Sequence, residues 1–197
     1  MLDIQNAHEP WTAFATWYEE AQATEPRVPD ALQIATVGPR GRPSIRTVLM
    51  KGFGPDGVLF YTNLGSRKAR DLRQTPYVAG VLHWKGLERQ IRIEGPVSPL
   101  DEATADAYFA SRARGSQIGA WASRQSEPLT RWEDLGERVA HMTARFEGRP
   151  VPRPPFWSGF RIAPERIEFW QGRADRLHQR WVFVRTATGW DRLILQP

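Results

Sequence analysis

The chain has no cysteine in its 197 residues. That rules out a disulfide framework, a thiolate metal site and a cysteine nucleophile. No apolar run approaches the ~18 residues that a membrane-spanning helix needs, so no membrane span or membrane partner is expected. The opening, Met1-Leu-Asp-Ile-Gln-Asn6, lacks a basic segment followed by an apolar one, so a secretory signal is not expected and a cytoplasmic location is. His8, His83, His141 and His178 have no metal-ligand spacing such as His-Glu-x-x-His, and no metal site is expected. A Gly-x-Ser-x-Gly elbow, a Walker loop and a Gly-x-Gly-x-x-Gly fingerprint are all missing. Hydrolase-elbow, P-loop and Rossmann dinucleotide chemistries therefore lose their sequence basis.

What is present is globular in composition: 41% hydrophobic, 25% charged and 11% aromatic. At this length one domain with a substantial core is expected over residues 1–197, with 1–8 as a flexible arm. Nine tryptophans suit large buried surfaces and ring stacking. A formal charge of +5 favours anionic partners without separating a small phosphorylated molecule from nucleic acid.

Glu9 to Ala23 reads as an amphipathic helix, with Pro10 in its first turn and Trp11, Phe14, Trp17, Tyr18 and Ala21 at helical spacing. Strand patterns follow at Ala31–Val37, Ser44–Phe53, Gly57–Thr62, Tyr77–Trp84 and Glu88–Gly95, separated by Gly, Pro and Asn turns. Asp101 to Ser111 reads as a helix with Asp101 as N-cap, and Leu129 to Phe146 as a second, charged one. After the Pro-rich link Gly148–Pro155, strands resume at Gly159–Ile162, Glu165–Trp170, Arg180–Thr186 and Trp190–Leu195. Short, closely spaced strands of this kind suggest an antiparallel barrel with flanking helices.

Two stretches ask for an anion. In Phe60-Tyr-Thr-Asn-Leu-Gly-Ser-Arg-Lys-Ala69 a strand end runs into a turn, and Ser66 caps a helical pattern that reaches Arg73. Arg67 and Lys68 in a first turn are locally unfavourable; a bound phosphate would reverse that, while a solvated basic helix start is the plain alternative. In Ile167-Glu-Phe-Trp-Gln-Gly-Arg-Ala-Asp-Arg-Leu-His-Gln-Arg180, extended backbone at the end would put Arg176, His178 and Arg180 on one face. Elsewhere Tyr108 and Arg112 are four apart and share a helix face. Ser116 lies four further on, but Gly115 makes a continuous helix doubtful. This set suits a phosphate cradle; a core tyrosine with a snorkelling arginine is the alternative.

These segments resemble the pyridoxine/pyridoxamine 5′-phosphate oxidase family. The resemblance continues in order through Arg46-Thr-Val-Leu-Met-Lys51, Leu87-Glu-Arg-Gln-Ile-Arg-Ile-Glu-Gly95 and Tyr108-Phe-Ala-Ser-Arg-Ala-Arg-Gly-Ser-Gln-Ile-Gly-Ala-Trp121. It resumes at Ser123-Arg-Gln-Ser126 and Pro155-Phe-Trp-Ser-Gly-Phe160. It implies an FMN-binding split barrel, assembled as a homodimer with the flavins at the subunit interface and both chains contributing. The implied activity oxidises pyridoxine 5′-phosphate and pyridoxamine 5′-phosphate to pyridoxal 5′-phosphate, with hydride passing to FMN and O2 reoxidising it to give H2O2.

By the same resemblance, Arg46, Thr47, Val48, Leu49, Met50 and Lys51 contact the flavin, as do Tyr61 and Thr62. Arg67, Lys68, Gln90, Gln125, Ser126, Trp170 and Arg180 complete that set. Arg67 and Lys68 best suit the FMN phosphate; Gln90 can donate and accept at an isoalloxazine edge, and Trp170 offers a flat wall or simple core burial. Lys51, Tyr108, Arg112 and Ser116 are implied for the substrate phosphate, and Arg176, Leu177 and His178 for its reacting end. Arg176 would orient the substrate without titrating, and His178 would orient it or accept a proton. Strict alternation puts Arg46 and Lys51 on opposite strand faces, so either a bulge intervenes or they face different parts of the site.

Two departures bear on substrate preference. The chain begins almost directly with its first helix, so the basic arm of some relatives is expected to be short or missing. Its end, Asp191-Arg-Leu-Ile-Leu-Gln-Pro197, is two residues longer than the Arg-Leu-x-Pro ending of relatives. Two other functions compete. A non-catalytic split-barrel binder of flavin or pyridoxal phosphate would not need Arg176, His178, Tyr108 and Arg112. A nucleic-acid binder is disfavoured because the basic residues sit in motifs mixed with Glu and Gln, not in a basic stripe.

Overall fold

Alternating burial sets the barrel. In the computed structural model, which describes residues 4–25 and 27–197, β1 (Ala31–Val37) turns Leu32, Ile34 and Thr36 inward and leaves the residues between them half-buried. It pairs antiparallel with β2 (Pro43–Gly52) and with β4 (Tyr77–Trp84). β3 (Val58–Asn63) follows β2, β6 (Trp157–Ile162) pairs with β3, and β5 (Arg89–Pro99) joins β6 to β4. The ring β4–β1–β2–β3–β6–β5 therefore closes on itself, leaving no free edge within it.

β5 is where the barrel splits. Its first part, Arg89 to Glu94, pairs with β4 on one side and with β7 (Arg166–Gln171) on the other; its end, Val97 to Pro99, pairs with β6. β8 (Gln179–Arg185) and β9 (Trp190–Leu195) extend the sheet outward from β7. The expected fold class, mainly β with an antiparallel split barrel, is the one observed.

Apolar side chains from every barrel strand form one core, with Phe60, Leu82, Ile91, Ile93 and Ile162 almost fully buried. Each such side chain contributes roughly 1.5–3 kcal/mol on leaving water. The helix α1 (Trp11–Thr24) lays Phe14, Trp17 and Ala21 onto this core. Phe14 stacks on Phe53 at 4.4 Å and Trp17 meets Phe169 edge-on at 5.3 Å. A second cluster, Phe109, Ile118, Phe146, Val151 and Trp157, joins β6 to α3 (Glu102–Ser111), α4 (Arg114–Ala122) and the segment after α5 (Glu133–Arg145).

Local chemistry explains the helix starts. Ser66 caps α2 (Arg67–Gln74), accepting from Ala69 N, and Asp101 caps α3, accepting from Thr104 N at 2.7 Å. At α1 the carboxylate of Glu9 takes the free N–H groups of Trp11 and Thr12, at 2.7 and 3.1 Å, so Pro10 stands just before the helix and not inside it. The charged helix is shorter than Leu129–Phe146, starting only at Glu133.

Two further expectations change. Of the flexible arm expected at 1–8, residues 1–3 lie outside the described residues, and Ile4–Asn6 instead form a 3-10 turn with Ile4 buried in the barrel core. Arg176 does not continue the strand of Arg180: Ala174–Arg176 is a 3-10 turn in which Asp175 and Arg176 have φ of 55° and 61°, and β8 starts at Gln179. Arg176, His178 and Arg180 therefore do not form one strand face. The continuous helix to Ser116, already doubtful at Gly115, does not form: the chain turns extended at Arg112 (ψ 148°) and Ala113 (ψ 140°) before α4 begins.

Candidate active site

Lys51, Tyr61, Thr62, Tyr108, Arg112, Ser116 and Gln125 line one cavity of about 590 Å³, together with Leu49, Asn63, Ser123 and Trp157. β2 and β3 form its floor, α3 and α4 one wall, and the segment around Gln125 another. Among the described residues no aspartate or glutamate lines it.

The wall is aromatic and stacked. Tyr61 lies 3.9 Å from Tyr108 with the rings 14° apart, and 5.4 Å from Trp157 at 7°. The Arg112 guanidinium sits 4.7 Å over the Trp157 ring, in cation–π contact. Gln117 holds this corner, donating from Nε2 to the carbonyls of Phe109 (3.0 Å) and Ala110 (3.3 Å) at the frayed end of α3. Arg112 Nη1 is buried and, among the described residues, has no hydrogen-bond partner. Burial lowers the Arg112 pKa, with Tyr108 opposing. A buried donor left unpaired is costly, and an anion in the cavity would satisfy it.

At the neighbouring end, Lys68 is buried (8% exposed). Its Nζ donates to Gln125 Oε1 at 2.7 Å, Thr62 Oγ1 at 3.0 Å and Ser66 Oγ at 3.4 Å. These are neutral oxygens, and among the described residues no carboxylate pairs with it. Burial, with the Arg46 charge adding to it, lowers the Lys68 pKa to about 8. A buried ammonium without a counter-ion at a capped helix start fits a phosphate group. Arg67, next to Lys68 in the first turn of α2, is exposed and lines a groove with Arg40, Arg42 and Arg70.

β2 divides its residues. Arg46, Val48 and Met50 turn inward and Thr47, Leu49 and Lys51 outward. Arg46 donates to Thr36 Oγ1 at 2.7 Å and lies 3.8 Å from Asp71; burial lowers its pKa against the pull of Asp71. Lys51 pairs with Asp30. The pairing with β3 shifts register between Met50 and Gly52, so Lys51 sits at an irregularity while the two cations also face different surroundings.

A second group stands apart on the split sheet. Gln90, Trp170 and Arg180 occupy adjacent strands in register. The His178 ring is 4.6 Å from Trp170, and His178 Nδ1 accepts from Arg173 N at 3.2 Å. Arg180 donates from Nε to Glu168 Oε1 at 2.8 Å, and Glu168 is also held by Arg92 at 3.2 Å. Of the three groups Arg176, His178 and Arg180, Arg180 thus already has an internal carboxylate as its partner. Leu177 is 67% exposed. None of this group lines the cavity. Ser126 is exposed with φ 73° and does not line it either.

Sequence reasoning assigned no role to Trp157, Asn63, Gln117 or Asp30. Trp157 lay inside the quoted Pro155–Phe160 motif; Asn63 and Gln117 fall within or beside quoted motifs without chemistry of their own, and Asp30 gave no signal.

A closed antiparallel barrel that opens along β5, with a cationic, acid-free cavity on its outer wall, defines a split-barrel protein. A pyridoxamine 5′-phosphate oxidase-related FMN-binding protein from Nostoc punctiforme has this fold, at TM-score 0.79 and 18% identity over 98% of this chain and 99% of that one. Residues 18–171 match the family model described as pyridoxamine 5′-phosphate oxidase, and residues 157–197 the one described as the pyridoxine 5′-phosphate oxidase C-terminal dimerisation region. The chain belongs to the pyridoxamine 5′-phosphate oxidase family. The pyridoxine/pyridoxamine 5′-phosphate oxidase of Sphingopyxis alaskensis is 59% identical over 197 residues, covering 100% of this chain and 91% of that protein. The enzyme of the same name from Rubrobacter xylanophilus is 54% identical, covering 96% and 87%. PhzG from Burkholderia lata, solved with tetrahydrophenazine-1-carboxylic acid, superposes at TM-score 0.93 with 34% identity, covering 100% and 98%.

Proposed function

We propose that this chain oxidises pyridoxine 5′-phosphate and pyridoxamine 5′-phosphate to pyridoxal 5′-phosphate with FMN as cofactor and O2 as final acceptor. The observation that carries this reading is the acid-free cavity that gathers Lys51, Tyr108, Arg112 and Ser116, with Arg112 Nη1 buried and unpaired. A phosphate there would take charge-assisted hydrogen bonds from Lys51 and Arg112, further ones from Tyr108 and Ser116, and stand beside the aromatic wall.

FMN, when bound, supplies the two-electron acceptor, which O2 returns to its oxidised form with release of H2O2. Lys68, helped by Arg67 and the Ser66-capped start of α2, is the group that would hold its phosphate. Thr62 and Gln125, which hold Lys68 in place, keep that ammonium aimed. Removal of hydride from C4′ of the alcohol substrate, with loss of its hydroxyl proton, leaves the aldehyde. The amine substrate gives an imine that water hydrolyses to aldehyde and ammonia.

Arg176 and His178 are the groups read as acting at C4′, Arg176 by orienting the alcohol or amine, His178 by orienting it or taking the proton. Leu177 lies between them. Their separation from the cavity fits a homodimer in which Gln90, Trp170, Arg176, His178 and Arg180 of one protomer complete the cavity of its partner. The match of residues 157–197 to a dimerisation region and the exposure of Leu177, Leu193 and Ile194 support that arrangement.

The test is turnover in air. FMN-loaded protein given pyridoxamine 5′-phosphate should form pyridoxal 5′-phosphate and H2O2 in equal amounts. Formation of neither, with FMN demonstrably bound, would leave only the binding-protein reading.

A further inference from the structure

Asp30 and Lys51 face each other where β1 begins and β2 ends. The Asp30 carbonyl accepts from Met50 N at 2.8 Å, which fixes the backbone, and Lys51 Nζ donates to Asp30 Oδ2 at 2.6 Å. The two side chains are 28% and 14% exposed. Lys51 stands on the wall between two cavities: the larger one with Tyr108 and Arg112, and a smaller one of about 370 Å³ shared with Tyr18, Asp30 and Phe53.

The two cations of the larger cavity are thus treated differently. Arg112 has no carboxylate partner among the described residues, whereas Lys51 is neutralised by an acid standing outside the cavity. Burial opposes the Lys51 charge, yet the hydrogen bond and charge of Asp30 outweigh it and raise the pKa. Lys51 is therefore cationic and already engaged before any ligand arrives.

We propose that Asp30 competes with the substrate phosphate for Lys51 and so sets the affinity of the cavity for phosphorylated ligands. This rests on the reading of the cavity as a phosphate site. An arriving phosphate has two options. Lys51 leaves Asp30 and gives up an existing ion pair, or Asp30 stays and a carboxylate stands close to the phosphate oxygens. Both reduce binding, and both vanish when the carboxylate becomes an amide of the same shape. An unphosphorylated ligand meets neither cost, so Asp30 acts only on ligands that carry the anion.

The experiment compares FMN-loaded wild type, Asp30→Asn and Asp30→Glu by equilibrium titration with pyridoxal 5′-phosphate, pyridoxal and inorganic phosphate. Asp30→Asn should bind pyridoxal 5′-phosphate and inorganic phosphate roughly three- to tenfold more tightly, a moderate change because the pair is partly solvated. Affinity for pyridoxal should not change, and Asp30→Glu, which restores the charge, should bind phosphate less tightly than Asp30→Asn. Unchanged or weaker phosphate binding by a folded Asp30→Asn protein overturns the proposal, as does an equal gain for pyridoxal. If Asp30→Asn does not fold, Asp30→Ser takes its place in the same titrations. Wild type that binds inorganic phosphate but turns over neither phosphorylated substrate would sink the oxidase reading and leave the competition testable with inorganic phosphate alone.

Discussion

Lys68 Nζ donates to Gln125 Oε1 at 2.7 Å, joining the start of α2 to a segment 57 residues later in the chain. The bond holds a buried ammonium whose pKa is lowered to about 8, chiefly by burial. A phosphate dianion binds the protonated form, so protonation and FMN binding are linked. Above the second phosphate pKa of about 6, FMN affinity should be nearly flat up to about pH 7. It should then fall as pH rises through the Lys68 pKa of about 8, approaching tenfold per unit until the raised pKa of the bound state is reached. Titration of the FMN-free protein at pH 7, 8 and 9 checks this, with Lys68→Met expected to be weak and flat over the same range. Riboflavin, which lacks the phosphate, should not show the slope.

Glu168 is 2% exposed, with Arg180 at 2.8 Å and Arg92 at 3.2 Å. Glu168→Gln keeps the shape and removes the charge that the guanidiniums share. Loss of one partner from a buried pair costs about 3–5 kcal/mol; the partly exposed arginines put this case near about 2–3 kcal/mol. Thermal unfolding should show a clear fall in Tm. FMN affinity should also fall if Arg180, freed from Glu168, no longer holds its position. A variant as stable as wild type would show that Glu168 is not the anchor of this sheet.

Gly159 lies on β6 opposite Tyr61. A Cβ built there would stand 2.6 Å from the Phe60 carbonyl oxygen, 2.8 Å from Leu100 and 2.9 Å from the Tyr61 ring. Gly159→Ala should destabilise the fold by roughly 1–3 kcal/mol, as overpacking does, and push Tyr61 off its stack with Tyr108. Denaturant unfolding measures the first effect. A raised KM for the phosphorylated substrate would report the second, since the stacked wall borders Arg112.

The barrel was readable because its strands alternate: β1 repeats half-buried and buried positions without a break, and the Gly, Pro and Asn turns mark the ends. The caps at Ser66 and Asp101 were readable because a single side chain decides each. The turn at Ala174–Arg176 was not, since the positive φ at Asp175 and Arg176 has no glycine to announce it. The break at Arg112 was only half visible: Gly115 hinted at it, but Gln117 closing the end of α3 depends on contacts across two helices. Of the substrate-side residues, Lys51, Tyr108, Arg112 and Ser116 converge although they come from three elements. Arg176 and His178 lie elsewhere in the protomer, off the lining of that cavity. Asp30 was invisible because a lone acid before a strand carries no signal until its partner is seen.

In the proposed function the cavity recognises a phosphate in order to present the rest of the substrate for oxidation. Anaerobic stopped-flow mixing of FMN-loaded protein with pyridoxamine 5′-phosphate, and separately with pyridoxamine, tests it most directly by following flavin absorbance. The phosphorylated amine should bleach the flavin at a rate on the order of 10²-fold above that of the unphosphorylated one at equal concentration, the scale set by loss of positioning. Flavin that stays oxidised with pyridoxamine 5′-phosphate, or bleaches equally fast with both amines, would contradict it.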